Sequence, residues 1–243
     1  MRIALIGANG QVGAEVALLL ASLPDIELAL LVRTLGGSAF LRYSGLSVVH
    51  CSITDTSRAT LALKGADVVV NFALAVGTPS ATNKNNEEII RAAFSCSPPT
   101  AKLVFFSTLA VNGSYDIVGR LRKNAYGDIK LRSERLVASL AKKLNFQTYT
   151  FRLGHVAGTY QSISRLLRQE IMSPPVVLPN PDRLSNVTHT VTIADALVAI
   201  GAGSVKQTGQ FDLVNTPNWS WRKVYAKEAD EIGIPLELEV GDR

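Results

Sequence analysis

A tyrosine and a lysine four residues apart, in Tyr126-Gly127-Asp128-Ile129-Lys130, carry the clearest chemical potential in this 243-residue chain. On a helix, positions i and i+4 lie on one face with Cβ atoms about 5–6 Å apart. The run Leu131 to Leu144 is rich in Leu, Ala, Lys, Arg and Glu, which predicts a helix that Tyr126 opens. A free phenol titrates near about pH 10, and a nearby ammonium stabilises the phenolate and lowers that value. The pair therefore reads as an acid/base device, with Lys130 expected to depress the pKa of Tyr126.

Such a pair needs a scaffold, and the chain before it supplies strands alternating with helices. Ile3 to Ile6 is apolar, the turn Gly7-Ala8-Asn9-Gly10-Gln11-Val12-Gly13 follows, and an apolar helical stretch runs to Leu23. This G-x-x-G-x-x-G spacing between strand and helix is a variant of the dinucleotide fingerprint. Its glycines let the backbone approach a pyrophosphate, and the helix aims N–H groups at it. Gly7, Asn9, Gly10, Gln11, Val12 and Gly13 are the expected cofactor contacts on this turn. Ile26 to Val32 reads as the second strand and ends at Arg33. At that distance from the turn, an acid binds a ribose 2′-hydroxyl, whereas an arginine accepts a 2′-phosphate. Arg33, with Arg42 as a second choice, therefore favours NADP(H) over NAD(H).

Val48 to Ile53 is expected as a third strand, Ser57 to Lys64 as a short helix, and Asp67 to Phe72 as a buried parallel strand. The loop Asn71 to Ala75, with Phe72, Ala73 and Leu74, lies at a strand C-terminus and should face the cofactor. Asn83 to Phe94 reads as helix. Leu103 to Phe106 is expected as a fifth strand that delivers Ser107 and Thr108, and Phe146 to Leu153 as a sixth. Together these predict an α/β protein built on a doubly wound parallel sheet with its ligand at the strand C-termini. Beyond Leu153 the pattern loosens. Gln161 to Met172 looks helical, and Ser173 to Arg183 reads as a proline-rich loop wrapping a substrate. Thr192 to Gly201 suggests a helix beginning near Asp195; a strand is expected over Phe211 to Val214, and a helix over Ser220 to Gly233 with Ser220 as N-cap.

Composition sets the class. Hydrophobic residues make up 47% and charged residues 19%, which fits a globular chain and argues against disorder. The formal charge of +5 is scattered, so no nucleic-acid partner is implied. Cys51 and Cys96 are the only cysteines; two make neither a disulfide framework nor a zinc spacing, and no metal is expected. Met1-Arg2 runs into a short apolar stretch ended by Gly7, unlike a signal peptide. No apolar run has the length of a membrane span. The expectation is a soluble, cytoplasmic protein acting on a small molecule.

These residues together resemble the extended short-chain dehydrogenase/reductase family, the epimerase/dehydratase group that includes nucleotide-sugar epimerases, dehydratases and reductases. Gly7, Gly10 and Gly13 match its cofactor turn, and Asp67-Val68-Val69-Val70-Asn71-Phe72-Ala73 its fourth strand. The segment Phe106-Ser107-Thr108-Leu109-Ala110-Val111-Asn112-Gly113 matches the one carrying the family's catalytic hydroxyl. That role falls on Thr108, with Ser107 the adjacent alternative on the substrate side. Tyr126 and Lys130 match the catalytic pair, with Glu134 following, and Arg152-Leu153-Gly154-His155-Val156-Ala157-Gly158 resembles a substrate-side motif. The resemblance implies a Rossmann region over 1–153 and a small substrate-binding region over 154–243, packed on the same core. It places Ser52 and Ile53 beside adenine, where the family often has Asp. His155 stands where Asn is usual, and Thr188 where an arginine often grips the substrate nucleotide. Arg165 and Arg168, three apart on a helix, are the candidate replacements, one of them expected to face the pocket with His155. Family members commonly dimerise through helices, so a homodimer is implied, although no diagnostic stripe marks it.

The resemblance also narrows the reaction. Dehydratases of the family carry Asp-Glu after the catalytic Thr, whereas Leu109 and Ala110 here cannot transfer protons. The Gly10-Gln11-Val12-Gly13 turn looks like that of sugar-nucleotide 4-ketoreductases. The expectation is an NADP-dependent oxidoreductase that reduces the carbonyl of a keto-sugar nucleotide. A nucleotide-sugar epimerase is the alternative. In another class stands a non-catalytic NADP-binding sensor or accessory protein.

Overall fold

The computed structural model describes residues 1–75, 79–115, 121–122 and 125–241. Seven parallel strands form its central sheet: β1 (Arg2–Ile6), β2 (Glu27–Val32), β3 (Val49–His50), β4 (Val68–Asn71), β5 (Lys102–Thr108), β6 (Thr148–Leu153) and β7 (Gly209–Leu213). Their order is β7-β6-β5-β4-β1-β2-β3, the doubly wound arrangement whose winding reverses beside β1. The helices are α1 (Gln11–Ala21), α2 (Thr56–Leu63), α3 (Pro79–Cys96), α4 (Ala125–Leu144), α5 (Ser162–Ile171), α6 (Thr190–Gly201) and α7 (Trp221–Ile232).

Both faces of the sheet are covered, which is why its strands read as unbroken apolar runs. Side chains alternate along β1: Ile3 and Leu5 join a core with α1 and α6, while Ala4 and Ile6 join a core with α2, α3 and α4. A third core lies apart from the sheet. It packs Leu167 and Ile171 of α5 against Val224, Tyr225 and Ala229 of α7. Two short parallel pairs complete it, His155–Ala157 with Val187–His189, and Val176–Leu178 with Leu238–Val240.

The expected elements are present with shifted ends. The third strand shrinks to Val49–His50, because it is an edge strand with a partner on one side only. Asp55 caps α2 by accepting from the Arg58 N–H, and Ser220 caps α7 as its sequence predicts. Two expectations fail. The loop Ser173 to Arg183 contains the strand Val176–Leu178, whose partner lies some 60 residues on and leaves no local signature. Helix α6 starts at Thr190, because the ring of His189 accepts from the Val191 N–H and caps it. Among the described residues, no helix is long and apolar enough to cross a membrane.

Candidate functional site

The glycine turn sits at the C-terminal end of β1. Gly7 has φ +74°, a left-handed conformation that glycine adopts without strain, and a Cβ there would lie 2.8 Å from the Ala73 nitrogen. A Cβ on Gly13 would lie 2.9 Å from the Gly7 carbonyl. The turn is therefore closed on itself and on the loop after β4. Gly10 provides no side-chain cap for α1, so the first-turn N–H groups, which lack intrahelical acceptors, are available to an anion.

One cleft of about 320 Å³ unites this turn with the chemical pair. It is lined by Gly10, Gln11, Val12 and Gly13 on one side and by Thr108, Tyr126 and Lys130 on the other. Phe72, Leu74, Ser107, Gly154 and Val156 complete its walls, with the Phe72 and Phe106 rings stacked 4.6 Å apart. Two local features bring the pair there. Thr108 ends β5, and its hydroxyl accepts from the Ala110 N–H at 3.2 Å, capping a short helical turn, Leu109–Asn112. Helix α4 then packs on that turn through Gly127, where a Cβ would lie only 2.5 Å from the Ala110 carbonyl. The glycine between Tyr126 and Lys130 is thus what lets the helix carrying both approach the end of β5.

The electrostatics differ from the sequence expectation. The Lys130 ammonium donates to the Phe106 carbonyl at 2.9 Å and lies 5.8 Å from the centre of the Tyr126 ring. Burial lowers its pKa to about 8, against the opposing pull of the Glu134 carboxylate. Burial also raises the Tyr126 phenol above its ordinary value, so the expected depression by Lys130 is absent. The ammonium is turned toward a backbone carbonyl, and desolvation of the phenolate prevails.

Behind Lys130, Glu134 accepts two hydrogen bonds from Arg152, both 2.9 Å, and a third from the Gln210 amide. Burial pushes its carboxyl up, but the hydrogen bonds and charge of Arg152, with the hydrogen bond from Gln210, bring it below the usual range. This carboxylate ties α4 to β6 and β7. Ser107 is buried on that side and borders both the cleft and a small interior cavity.

The remaining expected cofactor residues lie along the C-terminal edge of the sheet. The Asn9 amide approaches Gly37, where a Cβ would lie 2.5 Å from it. Arg33 is exposed immediately after β2, its carbonyl accepting from His50 at 2.8 Å. Arg42 is exposed on the helical turn Ala39–Tyr43. Ser52 pairs with Thr54 at 2.9 Å, whereas Ile53 is buried in the core.

Among the residues expected on the substrate side, the placements are mixed. His155 follows Gly154 at the cleft wall and packs its ring edge-on against Trp221, centroids 5.0 Å apart. Burial, and then the charge of Arg183, lowers its pKa. Trp221 and Arg183 line a second, largely apolar pocket of about 280 Å³ with Leu166, Leu178 and Tyr225. Arg168 does not face this region as expected. It is ion-paired to Glu228 at 2.8 Å and Glu231 at 3.5 Å on α7, because its helix face also carries Leu167 and Ile171 into the third core. Arg165 is exposed and lies outside both pockets. Thr188 is fully buried, accepting from the Gly154 N–H and donating to the Leu213 carbonyl. The cation whose charge acts on His155 is Arg183, which its position in a turn-rich segment did not reveal.

Comparison with known proteins agrees with this geometry. The family model described as NAD dependent epimerase/dehydratase family matches residues 3–173. No curated protein matches the chain significantly. Among solved structures, the UDP-N-acetylglucosamine 4-epimerase of Bacillus cereus superposes with a TM-score of 0.73 at 18% identity, over 100% of this chain and 85% of its own. The UDP-glucuronic acid 4-epimerase of Bacillus cereus, in complex with NAD, gives 0.70 at 17% identity over 99% and 86%. A dTDP-4-dehydrorhamnose reductase from Clostridium acetobutylicum gives 0.67 at 21% identity over 99% and 84%. The family match spans the glycine turn, Thr108, Tyr126, Lys130 and His155, which are the residues that the fold gathers at the sheet's C-terminal edge. The chain belongs to the NAD dependent epimerase/dehydratase family.

Proposed function

We propose that this protein is an NADP-dependent oxidoreductase that reduces the carbonyl of a keto-sugar nucleotide. The observation that carries the reading is the single cleft shared by the glycine turn and by Thr108, Tyr126 and Lys130. The turn fits a dinucleotide, since its backbone is packed close and its helix N-terminus carries no side-chain cap. Arg33 at the end of β2, with no acid between Val32 and Ser38, favours a cofactor with a 2′-phosphate. When bound, the reduced cofactor supplies the hydride to the carbonyl carbon.

The chain's own residues supply the rest. Tyr126, its pKa raised by burial, holds its proton at neutral pH and delivers it to the substrate oxygen as that oxygen gains charge. Thr108 has a lone pair occupied by the Ala110 N–H, which directs its O–H to the same oxygen. Lys130 is charged below about pH 8 and stabilises the phenolate left behind. General acid assistance of this kind contributes about 10²–10⁴-fold. Residues 154–243 supply the substrate side, with Arg183, Asn180 and Glu170 the polar groups lining the second pocket and His155 packed on its Trp221 wall.

Epimerisation is the second reading, favoured by the 4-epimerases among the structural relatives. It uses the same pair in both directions. The test is a panel of keto-sugar nucleotides and simpler carbonyls, followed by NADPH absorbance. Consumption with a keto-sugar nucleotide is expected. Tight NADPH binding without oxidation by any carbonyl would overturn catalysis and leave a cofactor-binding protein.

A further inference from the structure

Among the described residues, Glu15 is the buried carboxylate close to the cofactor turn that the proposed chemistry does not use. It sits on α1 two residues after Gly13 and is 5% exposed. Four donors surround it. The Thr159 N–H at 2.7 Å and the Thr190 hydroxyl at 3.0 Å reach Oε1, while the Tyr160 N–H at 3.1 Å and the Gln161 amide at 2.7 Å reach Oε2. Gly158 admits no Cβ, which would lie 2.4 Å from Oε1. All four donors come from the chain beyond residue 153.

The same short segment meets the cofactor side at two further places. Gln11, one turn before Glu15 and so on the same helix face, gives its amide to the Tyr160 carbonyl at 3.2 Å. Its own carbonyl accepts from Gln161 at 3.1 Å. The Tyr160 ring packs edge-on against Phe40, centroids 5.0 Å apart, and Phe40 follows the loop through Gly37 that touches Asn9. Residues 158–161 directly continue the strand His155–Ala157, which sets Val156 in the cleft wall and His155 against Trp221.

We infer that Glu15 is a positioning residue that couples cofactor binding to the order of the substrate-side strand. An anion on the first turn of α1 fixes Gln11 and the helix; Glu15 and Gln11 transmit that restraint to residues 158–161, and these hold His155–Ala157 in place. Coupling of this kind is reciprocal, so a substrate resting on His155 and Val156 strengthens cofactor binding to the same degree. The inference rests on the cofactor reading above.

Hydrogen–deuterium exchange with and without NADPH tests it, with binding followed separately by fluorescence titration. In the unmodified protein, NADPH should slow exchange of the amides in 155–161 by about tenfold, the effect of about 1.4 kcal/mol. Glu15→Gln keeps the side-chain shape but turns an NH₂ group toward one pair of donors. NADPH should still bind within about twofold, as the glycine turn is untouched, while the cofactor-dependent slowing disappears. Thr190→Val, a milder change that removes one donor, should give a smaller loss of the same sign, and covers the case in which Glu15→Gln does not fold. If both variants merely exchange faster throughout and keep the full cofactor-dependent increment, Glu15 is structural only and the inference fails. It fails equally if NADPH binds the unmodified protein without protecting 155–161. Absence of NADPH binding would overturn the cofactor reading itself, a result the titration distinguishes.

Discussion

The Lys130 ammonium donates to the Phe106 carbonyl at 2.9 Å, across the gap between α4 and β5. That bond holds the charge 5.8 Å from the centre of the Tyr126 ring. With its pKa lowered to about 8, Lys130 is charged at neutral pH and loses its charge in mildly alkaline solution. Reduction should therefore decline with an apparent pKa near 8 as pH rises, while Tyr126 remains protonated. The same shift has a stability consequence. The folded state binds the proton less tightly than the unfolded chain, so the penalty is fully present below about pH 8 and vanishes as pH rises through 10.5. Lys130→Met should thus abolish turnover yet raise Tm at pH 7, by about 2–4 °C for each kcal/mol recovered. Calorimetry at pH 7 and pH 10 would show the gain shrinking at the higher pH; a lower Tm at pH 7 would contradict it.

Tyr126→Phe keeps the ring and deletes the acid. NADPH affinity should survive, because the glycine turn lies across the cleft. Turnover should drop by about 10²–10⁴-fold, and an unchanged kcat would exclude Tyr126 as the proton donor.

Cofactor choice should rest on Arg33. A charged hydrogen bond contributes about 1.5–3 kcal/mol, so NADPH should bind about ten- to a hundredfold tighter than NADH. Arg33→Ala should erase most of that preference and leave NADH affinity unchanged. Equal affinities in the unmodified protein would move the cofactor assignment to NAD.

His155 provides a spectroscopic test of the substrate side. Burial and then Arg183 hold its pKa below the ordinary value. Arg183→Ala should raise it, though not to the value of a free histidine, since burial is the larger cause. Proton NMR titration can follow the three histidines of the chain, with His155→Gln identifying the resonance. No movement on removing Arg183 would mean that the two groups do not face one another in solution.

The sheet was legible because its signals are local. Apolar runs, the glycine turn and the helix opened by Tyr126 each lie within about twenty residues. The turn closes on itself at Gly7 and Gly13, and Thr108, which the resemblance pointed to, lines one cleft with Tyr126 and Lys130. What the sequence hid depends on distant partners. Glu15 looks like an ordinary helical acid until residues 159 to 190 fold over it. Arg168 and Arg165 appear equivalent, but α7 neutralises the former, and Arg183 reaches His155 from a segment without periodicity. The phenol shift was misjudged because spacing gives proximity and not burial, and burial is what raises the Tyr126 pKa.

The position of α6 and β7 bears on how specificity could be transplanted. Both belong to the second half of the sequence, yet Ile193, Leu197 and Ile200 pack into the core beside α1, and β7 extends the sheet next to β6. A chimera spliced at residue 153 would replace part of its own foundation along with its recognition surface, and would expose the edge of β6 if the graft fitted poorly. The third core suggests a different seam. Residues 154–189 and 214–241 pack mainly with each other, through α5, α7 and their paired strands. Exchanged together as two pieces, with 190–213 left in place, they would carry the proposed substrate side onto an intact Rossmann base.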